Sequence, residues 1–106
     1  MPEPERVLYG QVRPYAVAPA LDDLTGPTEG TVHLPIMLAW SGQRDFDVTD
    51  EADLRMLYQI VLQEGGVSDF ERYLNATTLR RVWPELFLPL RVRRLWEQRF
   101  PELKDG

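Results

Sequence analysis

Apolar residues recur along the chain with two different periods, and the change from one to the other falls near residue 49. From Thr31 the run TVHLPIMLAW alternates, placing Val32, Leu34, Ile36, Leu38 and Trp40 on one side, as in a half-buried strand. Pro35 lacks an amide donor and marks the run as an edge strand or the site of a bulge. Residues 41–44 can turn the chain, and Phe46 and Val48 supply a short return strand, so residues 31–48 are expected to form an antiparallel hairpin. Upstream, Val7 to Val12 fits a short strand. Pro14, Pro19, Gly26, Pro27 and Gly30 then break the chain, leaving at most a helical turn at ALDDL and a largely irregular segment over residues 1–30.

Helical spacing takes over at Thr49 or Asp50. A capping residue followed by acids precedes Leu54, Leu57, Tyr58, Val61 and Leu62, and Gly65 and Gly66 stop the pattern. Ser68 and Glu71 match a capping box, which predicts a second short helix through Tyr73 or Leu74. Asn75 is the expected cap of a third helix ending near Trp83, because Pro84 disfavours helical geometry in the residue before it. Pro89 suits the start of a fourth, carrying Val92, Leu95, Trp96 and Phe100 as far as Pro101. The predicted fold class is α+β, a single domain over residues 1–106. A short antiparallel ribbon packs on three or four short helices within residues 49–101, with the helix from Asp50 at the centre.

Inside the helical region one word, apolar-Arg-Arg-apolar-Trp, is written twice, as LRRVW from Leu79 and VRRLW from Val92. On a helix its first, fourth and fifth residues share one side. Leu79, Val82 and Trp83 thus form one apolar stripe and Val92, Leu95 and Trp96 another, and both tryptophans are expected in the core. Arg80, Arg81, Arg91, Arg93, Arg94 and Arg99 are then outward-facing candidates for contact with a partner, whether a carboxylate-rich protein or phosphate.

Charge sharpens that question. The net charge of −5 conceals a division: residues 1–71 carry 4 basic and 13 acidic groups, whereas residues 72–104 carry 8 basic and 3 acidic. Such asymmetry suits association with a partner or between the halves themselves. A DNA reader is expected to be basic overall or to carry a concentrated stripe; here the acidic half opposes approach, so a protein partner is favoured over DNA.

Other chemistry finds little support. With 106 residues, 43% apolar and 27% charged, the chain has the composition of a folded globular protein, and it has no cysteine for thiolate nucleophiles, disulfides or zinc fingers. The start MPEPERVLYG lacks the basic and apolar regions of a signal peptide, and apolar runs are short, so a cytoplasmic protein without a membrane partner is expected. His33 is the single histidine and has no local triad pattern. The acids Asp45, Asp47, Asp50, Glu51 and Asp53 invite a cation, but Asp50 and Met56 stand where an EF-hand needs glycine and glutamate, and a helix N-terminus accounts for most of them. Asp45 and Asp47 also resemble a magnesium-binding pair of nucleotidyl transfer, yet no Gly-Ser phosphate loop precedes them. No Walker, Rossmann or nucleophile-elbow motif occurs. No enzyme activity, metal or cofactor is expected.

The strings LDDLTGPTEGTVHLP, AWSG, LYQIVLQEG and LRRVWPELFLPLRVRRLWE together resemble a group of small actinobacterial proteins, over about residues 20 to 97. Some members of that group are encoded beside nucleotidyltransferase-type toxins. The resemblance implies a bacterial, antitoxin-like or regulatory role and supplies no catalytic residues. The expectation is therefore a non-enzymatic, protein-binding regulatory module acting through its arginine-rich C-terminal helices, with a DNA-binding regulator as the alternative.

Overall fold

The computed structural model describes residues 15–35, 38 and 42–105. The strand expected at Val7 to Val12, and Ile36 and Trp40 of the alternating run, lie outside the described residues. Two strands, β1 (Thr31–His33) and β2 (Asp45–Asp47), pair antiparallel with Val32 opposite Phe46. Each buries its middle residue and exposes the two beside it.

The first strand is shorter than its alternation predicts, and Pro35 is the reason. The pairing continues as far as Leu34, whose N–H donates to the Arg44 carbonyl at 2.8 Å. Pro35 has no N–H to offer next, and its carbonyl instead accepts from Leu38 N–H at 2.9 Å, turning the chain. Gly42, at φ 95°, takes a left-handed conformation in the connection that follows, where a side chain would be strained.

The helices follow their caps. Helix α1 (Glu51–Glu64) starts where the Asp50 carboxylate accepts from Asp53 N–H, and Glu51 and Asp53 place negative charge in the first turn. Of residues 57–62 only Gln59 escapes burial, so the second half of α1 is enclosed on nearly all sides. It is the central helix that the apolar spacing predicted.

Helix α2 (Val67–Tyr73) starts two residues earlier than the capping-box reading places it. Ser68 lies in its first turn, exposed, and Gly66 is the cap. Glycine has no side chain to accept from the helix, so half a box forms: the Asp69 carboxylate accepts from Gly66 N–H at 2.9 Å. Helix α3 (Ala76–Val82) starts at Asn75, whose side-chain oxygen accepts from Thr78 N–H at 3.2 Å, and passes into a 3-10 turn at Trp83–Glu85 around Pro84. Helix α4 (Leu90–Arg99) follows Pro89. A further four-residue helix beyond the expected set, α5 (Glu102–Asp105), buries Leu103.

The repeated word resolves as two halves of one core. Trp83 and Trp96 are both buried, with ring centroids 6.4 Å apart. Phe70 meets Trp96 edge-on at 5.0 Å and Phe100 lies 5.8 Å from it, so four rings, from α2, the 3-10 turn, α4 and the residue that ends it, form an aromatic centre. Leu79, Val82 and Val92 complete the stripes, whereas Leu95 is half-buried at the edge.

The irregular segment is pinned to this centre. Residues 21–23 form the short 3-10 turn expected at ALDDL, burying Leu21. Thr25 then pairs with Asn75 as an isolated bridge: Gly26 N–H donates to the Leu74 carbonyl at 2.7 Å and Ala76 N–H to the Leu24 carbonyl at 3.1 Å. One apolar core therefore runs from Ala18 through the ribbon to Leu103.

Candidate functional site

The six candidate arginines do not converge. Arg80 Nε donates to Glu102 at 2.7 Å, tying α3 to α5. Arg81 reaches both carboxylate oxygens of Glu51, at 3.0 and 3.2 Å, at the start of α1. Arg99 extends back to the Pro19 carbonyl at 2.5 Å and lies over the Phe100 ring.

Arg93 departs from the outward placement. Its side chain is 24% exposed, its Nη2 donates to the Leu86 carbonyl at 2.6 Å and the Trp83 carbonyl at 3.3 Å, and its guanidinium lies 5.0 Å over the Trp83 ring. Glu97, one turn on, faces Arg93 at 3.6 Å and accepts from Trp83 Nε1 at 2.9 Å. This arrangement satisfies carbonyls of the 3-10 turn and holds the indole in place. It is structural.

Arg91 and Arg94 differ from the other four. Both are exposed, and neither has a hydrogen-bond or ion-pair partner among the described residues. With Tyr15, Leu90, Leu95 and Gln98 they line an open groove of about 610 Å³ along α4. The helical spacing explains the grouping, since Leu90 and Arg94, and likewise Arg91, Leu95 and Gln98, recur at three- and four-residue intervals on the side away from Val92 and Trp96. A second concavity, bounded by Arg94, Glu97, Gln98, Pro101 and Lys104, continues from it.

The two most exposed large apolar side chains among the described residues fall just before or at the start of α4. Leu90 is 59% exposed and Phe87, three residues earlier, is 84% exposed, with its backbone N–H held by Gln59 Oε1 at 2.8 Å. Neither was selected by the stripe argument, because each falls out of phase with the buried positions. That same dephasing is the signal: large apolar residues between Leu86 and Val92 that the core stripe does not use are available to something else.

The acidic cluster around α1 is engaged in local structure. Asp53 accepts from Asp47 N–H at 3.0 Å and from Gln43 at 3.3 Å, while Asp47 accepts from the Thr49 hydroxyl and N–H at 2.6 and 2.9 Å. The Thr49 hydroxyl bond, with the N–H bond behind it, holds the Asp47 carboxyl below its ordinary value. His33 Nδ1 pairs across the ribbon with Asp45, and both side chains are exposed. Among the described residues no group of acids and histidine is arranged to hold a metal ion, and no helix is long and apolar enough to cross a membrane.

Comparison with protein-family models, curated proteins and solved structures finds no match to this chain.

Proposed function

We propose that the chain is a non-enzymatic protein-interaction module that docks a polypeptide segment along α4. The carrying observation is the pairing of two exposed arginines without a partner among the described residues, Arg91 and Arg94, with exposed Leu90 and half-buried Leu95 at one groove. An apolar anchor flanked by carboxylates matches that chemistry: the anchor removes Leu90 from water, and the carboxylates take paired bonds from guanidinium groups. Phe87 offers the rigid aromatic contact around which binding energy concentrates.

A protein partner is favoured over duplex DNA because four of the six arginines are engaged within the chain. Among the described residues of that face this leaves Arg91 and Arg94, fewer cations than the many phosphate contacts of a DNA site use. The antitoxin-like role is the particular form that the actinobacterial resemblance suggests for such a module.

The test compares wild type with Arg91→Glu/Arg94→Glu and Leu90→Asp as bait in native lysate treated with nuclease, followed by calorimetry with the identified partner. Both variants should keep the wild-type melting curve, and each should weaken the purified complex at least tenfold, which is about 1.4 kcal/mol. Unaltered affinity in both would remove the groove from the reading. Tight, steeply salt-dependent binding of the purified protein to duplex DNA, lost in the double variant, would replace it with the DNA-binding alternative.

A further inference from the structure

The two outer edges of the ribbon are not alike. Leu34 N–H donates to the Arg44 carbonyl and Val48 N–H to the Gly30 carbonyl, so residues 30, 32 and 34 turn their backbone groups inward. Antiparallel pairing alternates, and the N–H and C=O of Thr31 and His33 on one strand, and of Asp45 and Asp47 on the other, therefore point away from the ribbon. The β2 edge is covered: Gln43 Nε2 donates to the Asp45 carbonyl at 2.9 Å, Asp50 N–H to the Asp47 carbonyl at 3.0 Å, and Asp47 N–H to the Asp53 carboxylate at 3.0 Å. At the β1 edge none of the four outward backbone groups has a hydrogen-bond partner among the described residues, and Thr31 and His33 are both exposed. Such an edge is a template for another strand. We propose that the outer edge of β1 is a strand-addition site, which takes an extended basic segment of a partner protein as a third, antiparallel strand opposite Thr31–His33. The site uses no residue of the α4 groove and stands independently of the function proposed above.

Charge selects the occupant. Thr31 and His33 share the exposed face of the ribbon with Asp45 and Asp47, and residues 15–53 carry eight acidic side chains against Arg44 and His33. A strand added antiparallel to β1 turns the residues opposite Thr31 and His33 to that same face. Neighbouring strands lie about 4.8 Å apart, which sets the new strand about 10 Å from β2, a gap that a lysine or arginine and an aspartate side chain close between them. The residue opposite Val32 turns to the buried side and suits an apolar group, so the preferred order is basic, apolar, basic. A second copy paired through the same edge would instead bring an equal set of acids to this face, and like charges oppose it. Pro35 offers no N–H beyond the strand, which confines recognition to this short run.

The test is amide exchange and NMR titration of the full chain with end-blocked synthetic peptides that alternate lysine and valine. In the free protein the Thr31 and His33 amides should exchange openly while Leu34, bonded inward, is protected. Saturating peptide should slow exchange at Thr31 and His33 by about tenfold or more, and glutamate in place of lysine should weaken binding by about tenfold or more. N-methylation separates strand pairing from attraction to an acidic surface, since in this register the lysine amides face β1 and the valine amides face away. Methyl groups on the lysine amides should abolish binding, and methyl groups on the valine amides should leave it in place. His33→Pro removes one outward N–H and should weaken the peptide while Leu34 stays protected; if that variant unfolds, the methylated peptides decide alone. Four results would overturn the proposal: Thr31 and His33 as protected as Leu34 in the free chain, which means the edge is already filled; equal binding of both methylated peptides; a glutamate peptide that binds as well as the lysine one; or no change at Thr31 and His33 at millimolar peptide. Protection there that rises with protein concentration alone would also overturn it, by identifying a second copy as the occupant.

Discussion

Trp83 and Trp96 occupy equivalent places in the repeated word but not equivalent environments. Trp83 Nε1 donates to Glu97, whereas Trp96 Nε1 is buried with no partner among the described residues. Replacing either indole by a phenyl ring removes similar volume, but only Trp83→Phe also breaks a bond to a carboxylate. Trp83→Phe should therefore cost about 1–2 kcal/mol more than Trp96→Phe in urea unfolding; the reverse order would show that fit at the aromatic centre outweighs the polar edge. Tyr58 gives a residue-level prediction in pH. Burial, the largest cause, pushes its hydroxyl above the ordinary 10.0, against smaller downward pulls that include the bond from Asn75 N–H. The folded state then holds this proton more tightly than the unfolded state. Its contribution is complete below pH 10 and declines as the pH rises from there through the folded value. Tyr58→Phe should flatten that part of the alkaline limb of a stability–pH curve, and an unchanged limb would assign the loss to other groups.

Elements were legible in proportion to how local their causes are. Helix α1 combines an aspartate cap, acids in the first turn and a sustained apolar spacing, all of them sequence-adjacent, and its expected limits match the observed ones. Helix α2 was displaced by two residues because Ser-x-x-Glu and Gly-x-x-Asp overlap there, and the choice between them depends on how the chain enters from Gly65. A Cβ at Gly65 would lie 2.8 Å from the Val61 carbonyl oxygen and 2.9 Å from Asp69 Cβ, so this entry is sterically tight. Ser68→Ala should accordingly shift stability by less than about 0.5 kcal/mol, as at other exposed sites without a structural role. Asn75→Ala should cost about 0.5–2 kcal/mol through loss of its cap. Thermal melts of the two variants read this contrast directly, and a large effect at Ser68 would restore the serine cap. The arginines were the least legible feature, since sequence places them on helix surfaces but their partners come from elsewhere. Arg81 meets Glu51 thirty residues away, and Arg99 meets Pro19 eighty residues away.

At the scale of the whole molecule the acidic and basic portions are partly mutual partners, through Arg81 with Glu51 and Arg55 with Glu85. Exposed pairs of this kind each contribute little, so they do not hold the two parts together. The shared core does that, and its tightest backbone crossing is at Gly26. There the irregular segment passes the α2–α3 junction so closely that a Cβ on Gly26 would sit 2.5 Å from the Tyr73 carbonyl carbon and 2.8 Å from Leu74 N. Those neighbours are backbone, fixed by the Phe70 carbonyl on one side and the Asn75 cap on the other, and they cannot step aside as a side-chain tip can. Gly26→Ala must therefore lengthen the 2.7 Å bond to Leu74 and the paired bond from Ala76, loosening segment and helices together. Gly30→Ala provides the contrast: at φ 89° it is strained by about 1 kcal/mol, yet nothing lies within 4 Å of the added carbon. Gly26→Ala should be the more destabilising of the two by at least about 1 kcal/mol, a difference typical of overpacking against atoms that cannot relax. It should also speed amide exchange at Gly26 and Ala76, on both sides of the bridge, whereas the effect of Gly30→Ala should centre on the ribbon near Val48. Equal losses of stability, with exchange at Ala76 unchanged by Gly26→Ala, would mean that the segment is not fastened to the helical core at this crossing.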